Sequence, residues 1–330
     1  MVRVSRRAFV GGALAIGLAG CGEGGRSTLF GTDTHPPNYP TVRAFRYFGD
    51  LVEQRTGGRL RVKIFPSGQL GAERDTLEIT SFGGLDFNRV NLAPLNSIEP
   101  LTTVFALPFL FDSQAHLRRV LDGEPGKRVL ASLAPHDMIG LCFYDSGARS
   151  FYNGRGPIER PADMDGMKIR VQNSDLYVAM IGGLGADATP MALGAVYQGL
   201  VQGVIDGAEN NWPSYQSGRH YEVAPYYSLT RHVMTPEVLL MSKVSWENLS
   251  PADREIVMES ARESVPYMRR LWDARVAAAQ KALIADGVQV NEVDRGPFRR
   301  KMHPVWESFV TTDTQKALMR TVMAMGDGNA

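Results

Sequence analysis

From Ser250 to about Asp286 apolar residues recur at helical spacing without interruption. A helix of roughly 35 residues at 1.5 Å per residue runs ~50 Å, further than one small domain is wide. Ser250 stands where it can cap the first turn, and Pro251 takes the first helical position, where a missing N–H costs nothing. Pro266 inside the stretch predicts a kink, not two unrelated helices. Such a rod is long enough to bridge two units, and a chain of 330 residues can supply each with its own core.

The remaining pattern supplies those units. Thr28–Asp33, Arg59–Phe65 and Leu85–Asn91 read as strands, separated by helices over about Thr41–Thr56 and Gly71–Phe82. Gly57-Gly58 ends the first of these helices, and Pro66-Ser67-Gly68 turns the chain into the second. This β-α-β-α-β order is that of a mostly parallel sheet covered by helices. Asp112–Leu133 reads as two helices split at Gly123-Glu124-Pro125, and Asp137–Asp145 as a further strand. A second α/β unit begins near Ser146-Gly147. It holds a strand around Gly166–Ser174, helices at Ser174–Ile181 and Gly194–Val201, and a short strand at Val204–Asp206. Pro225–Thr235 and Glu237–Ser242 read as strands crossing back to the first unit. Val288–Val293 reads as a last strand, and a final helix holds Trp306 and Phe309.

At the N-terminus, Ser5-Arg6-Arg7-Ala8-Phe9 precedes an apolar run too short to span a bilayer, which needs ~20 residues. The Arg6-Arg7 pair resembles a twin-arginine export signal. Leu18-Ala19-Gly20-Cys21 resembles a lipobox, in which Cys21 is lipidated. Residues 1–20 are therefore expected to be a signal peptide and residues 21–27 a tether. The expected periplasmic chain reaches the membrane only through the lipid. Without residues 1–20 the net charge falls from +1 to −2, because Arg3, Arg6 and Arg7 leave with no acid. That balance excludes nucleic acid as an expected partner. Cys142 is then left alone, in an apolar strand that makes it a core residue.

The usual catalytic spacings are missing: there is no Gly-x-Ser-x-Gly, no His-Glu-x-x-His and no Gly-x-x-x-x-Gly-Lys. The six histidines are scattered without metal-ligand spacing, so neither metal nor cofactor is expected. Asp206 and Glu209 form a close acid pair, but carboxylates so placed in a loop are more often solvent or capping groups. What stands out is Arg170, in a strand where Met167, Ile169 and Val171 alternate with Lys168, Arg170 and Gln172. That period points Arg170 away from the core. Alone it reads as a solvated arginine. With Arg149 at the entry to the second unit, and Asn210 and Asn211 beyond a strand end, it reads as part of an anion site in an α/β crevice.

Several stretches, in this order, resemble the solute-binding proteins of TRAP (tripartite ATP-independent periplasmic) transporters over about residues 28–310. They are Gly57-Gly-Arg-Leu-Arg-Val62, Phe65-Pro-Ser-Gly-Gln-Leu-Gly71, Ala106-Leu-Pro-Phe-Leu-Phe111, Asp165-Gly-Met-Lys-Ile-Arg-Val171, Thr189-Pro-Met191 and Val204-Ile-Asp-Gly-Ala-Glu-Asn210. The resemblance implies a two-lobed periplasmic binding protein fold: two α/β domains with crossover strands and a long kinked helix spanning both. The domains are expected over 28–146 with 236–275, and 147–235 with 276–330. It implies that Arg170 holds a ligand carboxylate bidentately, helped by Arg149 and Asn210. Asn91, Pro94 and Leu193 depart from the sialic-acid-binding branch. Glu209-Asn-Asn-Trp-Pro-Ser-Tyr215, with Tyr221, Glu222 and His232, resembles the branch that binds hexuronates and other sugar acids. Hydroxyl partners are then expected from Glu73, Asp33, Asn91, Asn211 and Asn173, and an apolar wall from Trp212 if it is not packed in the hinge. The expected protein is a monomeric receptor, not an enzyme, that delivers a small carboxylate to TRAP membrane subunits. The alternatives are a sensor for a membrane kinase and, further off, an exported sugar-acid hydrolase or lyase using Glu73, Asp206 or Glu209.

Overall fold

The computed structural model describes residues 26–326. The expected signal peptide, residues 21–25 of the tether and the lipidation site Cys21 lie outside the described residues. The chain opens with β1 (Ser27–Thr32), α1 (Pro40–Arg55), β2 (Leu60–Phe65), α2 (Glu73–Ser81) and β3 (Phe87–Asn91). Pro40 starts α1, and Val42, Phe45, Phe48 and Val52, spaced by three and four, form its buried stripe. Then come α3 (Gln114–Asp122), capped by Ser113, α4 (Glu124–Ala131) and β4 (Met138–Tyr144). The second unit runs β5 (Arg149–Asn153), β6 (Lys168–Val171), α5 (Asp175–Leu184), β7 (Asp187–Pro190), α6 (Val196–Val201), β8 (Gly207–Asn210), α7 (Trp212–Ser217) and β9 (Tyr226–Val233). The chain closes with β10 (Glu237–Ser242), α8 (Lys243–Glu247), α9 (Pro251–Ala285), β11 (Gln289–Glu292), α10 (Arg295–Lys301), α11 (His303–Phe309) and α12 (Asp313–Ala324).

Two sheets result, ordered β2-β1-β3-β10-β4 and β11-β9-β5-β8-β6-β7. β1 pairs in parallel with β2 and β3, while β10 inserts antiparallel between β3 and β4. The chain leaves the first sheet between β4 and β5 and returns between β9 and β10. The two-lobed α/β architecture read from the sequence is thus the observed one.

α9 is one continuous helix with Pro266 inside it, capped by Ser250. It packs on α1 and β4 at one end and on α7 at the other. Val257, Ala261, Met268 and Trp272 enter the first sheet's core, whereas Ala279 and Leu283 enter the second's. Its apolar side changes partner between lobes, as a bridging rod requires. Cys142 is buried and free, and burial pushes its thiol up to about 12.

Several elements differ from the sequence reading. The strand expected at Val204–Asp206 lies three residues later, as β8. Gly207 makes this possible: a Cβ there would meet the Cβ of Asn153 on the paired strand at 2.7 Å. β5 and β7 are additional strands, and three short helices replace the single final one. The last, α12, docks back on the first lobe: Gln315 donates to the Pro100 carbonyl (2.9 Å), and the His116 ring meets the Val322 carbonyl (2.9 Å).

Candidate ligand-binding site

Polar groups from both lobes surround a cavity of about 320 Å³ between them, within the size range of small-ligand sites. Its walls come from one end of both sheets. β1 leads into Thr34 and His35, β3 ends at Asn91, and β4 leads to Ser146. Across the cleft, β6 ends beside Gln172 and Asn173, β7 leads to Met191 and Leu193, and β8 ends at Asn210. This is the crevice beyond strand ends where α/β proteins hold ligands.

Arg170 is not the solvated residue that its strand period allows. Lys168 is exposed, but Arg170 retains only 3 % exposure, because the segment after β7 closes over this end of β6. Its Nε and Nη2 both donate to the Met191 carbonyl, at 2.8 and 2.6 Å. Nη1 has no partner, and no acid pairs with the guanidinium among the described residues. Burial lowers its pKa below the usual arginine range.

Arg149 also lines the cavity, in a different electrostatic state. Its fork is taken by Glu209: Nε and Nη2 donate to the two carboxylate oxygens, and Nη2 also meets the Glu209 carbonyl. Nη1 donates to Oδ1 of Asn210 at 2.9 Å, and the Asn211 N–H donates to the same oxygen. The Asn210 amide is thereby oriented, with Nδ2 left without a partner among the described residues of this cavity wall. Desolvation opposes the charge on both partners, but their attraction outweighs it. Arg149 is raised above its usual range, and Glu209 is held at about 2. Asp206 and Glu209 do not act as an acid–base pair, in keeping with the expectation for carboxylates so placed, although Glu209 is buried and ion-paired, not solvated. Asp206 accepts from the Lys168 N–H and pairs with Arg155, at the end of β8 away from the cleft.

The facing wall is acidic. Arg89, fully buried in β3, pairs with Asp33, Glu73 and Glu237. His35 approaches the same guanidinium at 2.9 Å and stacks on Tyr39. One cation here faces three carboxylates. Burial raises the Glu73 pKa, and Arg89 only partly offsets this. Oε1 of Glu73 accepts from Arg89 and from the Asn91 N–H, leaving Oε2 without a partner among the described residues.

Of the nine residues expected in the site, Arg170, Arg149, Asn210, Glu73, Asn91 and Asn173 line this cavity. Three do not. Asp33 lies behind the wall, bonded to His35, Thr41 and Arg89. Asn211 caps α7, accepting from the Ser214 N–H, and donates to the Ser146 carbonyl. Trp212 stacks on Tyr227 with centroids 4.0 Å apart, in the aromatic core beneath α7. It offers the cleft no wall. Arg89, Glu237 and the burial of Glu209 escaped the sequence reading. The one legible sign was a charged residue in the middle of an otherwise buried strand, Phe87-Asn-Arg-Val-Asn91.

The model of the bacterial extracellular solute-binding proteins, family 7, matches residues 30–313. A TRAP periplasmic solute-binding protein of Xanthobacter autotrophicus Py2, solved with bound β-D-galacturonate, is 46% identical, with a TM-score of 0.88 over 90% of this chain and 99% of that one. One from Chromohalobacter salexigens, solved with bound D-glucuronate, is 43% identical, with a TM-score of 0.88 over 90% and 99%. The 2,3-diketo-L-gulonate-binding periplasmic protein of Escherichia coli K12 is 31% identical over 279 residues, 83% of each chain.

Proposed function

The chain belongs to family 7 of the bacterial extracellular solute-binding proteins, the periplasmic receptors of TRAP transporters, and we propose that its ligand is a hexuronate. The observation that carries this reading is the polarity of the cleft. On the second lobe, two arginines face one carboxylate, leaving the charge of Arg170 unanswered. On the first lobe, three carboxylates face one arginine. A ligand matched to both walls carries one carboxylate at one end and hydroxyl donors at the other. A hexuronate has that form; a dicarboxylate would set its second charge against Glu73 and Glu237. The uronates bound by the two solved relatives support the same reading.

In this reading Arg170 grips the carboxylate, Asn210 adds its amide, and Arg149 acts chiefly by fixing Asn210. Glu73, Asn91 and Asn173 meet the ring hydroxyls. Closure of the lobes about the two crossovers favours the bound state through the added contacts of the far wall. The lobes comprise 28–146 with 236–275, and 147–235 with 276–312, while α12 rides on the first. The protein acts as a monomer, catalyses nothing and passes its ligand to the membrane subunits. The Leu18–Cys21 stretch supports a lipid anchor at Cys21, which mass spectrometry of the membrane-extracted protein would test.

Calorimetry with D-galacturonate and D-glucuronate, set against the neutral hexoses and succinate, tests the ligand class. At least one uronate should bind a hundredfold or more tighter than its neutral sugar. Tight succinate binding with no uronate response would refute the reading.

A further inference from the structure

A second charged pocket lies outside the cleft, between the segment Phe109–Ser113 and the start of α10. Phe109, Phe111, Asp112, Ser113, Arg295 and Arg299 line it. Arg295 is half-buried, and its Nε is enclosed without a hydrogen-bond partner. Its guanidinium lies over the Phe109 ring, 5.5 Å from the centroid, and makes one long bond (3.4 Å) to the Arg231 carbonyl. Neither Arg295 nor Arg299 forms an ion pair among the described residues, whereas neighbouring Arg231 is held bidentately by Glu292. Asp112 supplies the acid of this wall, with its carboxylate 3.6 Å from His116. Among the described residues the wall therefore keeps a positive excess, and the like charges of Arg231 and Arg299 add to the desolvation that weakens the Arg295 charge.

The two residues that the Arg295 guanidinium touches, Phe109 and Arg231, both hold left-handed backbone. Phe109 and Arg231 hold φ of 59° and 42°, a region that bulky side chains avoid at a cost of about 1–3 kcal/mol. They are joined through the Phe109 N–H, which donates to the His232 carbonyl at 2.7 Å. The surrounding structure thus keeps a half-desolvated arginine without an acid partner beside the pocket.

We propose that this pocket is a second anion site, taking a compact oxyanion of the phosphate or sulfate kind free in solution. Its oxygens would fill the Arg295 and Arg299 donors as paired charge-assisted bonds. The site is independent of the uronate cleft. The test is titration of inorganic phosphate into the mature protein, followed by calorimetry and by backbone NMR, with chloride at matched ionic strength as reference. Saturable binding of one phosphate per chain is expected, with shifts at Ser113 and Arg295. Arg295→Gln should weaken it at least tenfold while retaining uronate binding, which shows that the variant is folded. Arg170→Met and the exposed-strand variant Arg61→Gln should retain it. A response no greater than that of chloride would overturn the proposal. So would unchanged phosphate affinity in Arg295→Gln, or loss of binding in Arg170→Met alone, which would place the phosphate in the cleft.

Discussion

Replacing Arg170 by methionine separates two roles that a buried arginine can have. In the ligand-free protein its guanidinium has lost its water, faces no acid among the described residues, and is anchored by two bonds to one carbonyl. Removing it costs those bonds, about 1 kcal/mol net, and relieves a buried, unanswered charge of opposite effect. The free protein should therefore change in stability by no more than about 1.5 kcal/mol in either direction. Binding is another matter. A uronate carboxylate would enter the same desolvated spot with no cation to meet it, a cost of roughly 3–5 kcal/mol. That is about two to four decades of affinity. Urea unfolding of the free variant and calorimetry with D-galacturonate measure the two numbers. Arg170→Lys should fall between them, since an ammonium keeps the charge but not the fork. Affinity within threefold of the parent would refute the clamp. A loss of free-state stability above about 3 kcal/mol with binding intact would make Arg170 a structural residue.

The second arginine should behave in the opposite sense. Arg149→Met leaves the Glu209 carboxylate buried and unpaired, so the free protein should lose roughly 3–5 kcal/mol in urea unfolding, and adding Glu209→Gln should restore much of it. Glu209 also predicts acid sensitivity. Its folded pKa of about 2 lies below the unfolded value near 4.5, so its contribution is complete above about pH 5 and is lost as pH falls toward 2. That contribution is roughly 3 kcal/mol, and unfolding midpoints between pH 7 and 3 should fall less steeply in Glu209→Gln. Trp212→Ala should cost about 3–5 kcal/mol of stability through the lost packing on Tyr227, with uronate affinity of the folded protein nearly unchanged. A large loss of affinity at preserved stability would put the ring back in the cleft.

The pattern of residues along the chain was enough for the fold class, because hydrophobic period, proline and glycine stops and helix caps act over a few residues. α9 with Ser250 as cap, β10 and the split between α3 and α4 are all legible in that way. So was the placement of Arg170, Arg149 and Asn210 at strand ends, where α/β chains form crevices. What the chain alone could not decide is which charges are answered. Arg149 and Arg170 are the same residue type in one sheet, on strands separated only by β8. One is neutralised by Glu209, sixty positions away along the chain, and the other meets only a backbone carbonyl. Asp33, Asn211 and Trp212 look equally available in sequence, yet each is held by a group from another part of the chain: Arg89, the Ser146 carbonyl and Tyr227. Secondary structure is a short-range property, whereas desolvation and ion pairing depend on groups that only the closed fold brings within a few ångströms. Only tertiary structure, therefore, left Arg170 without an acid partner among the described residues and set three carboxylates on the opposite wall.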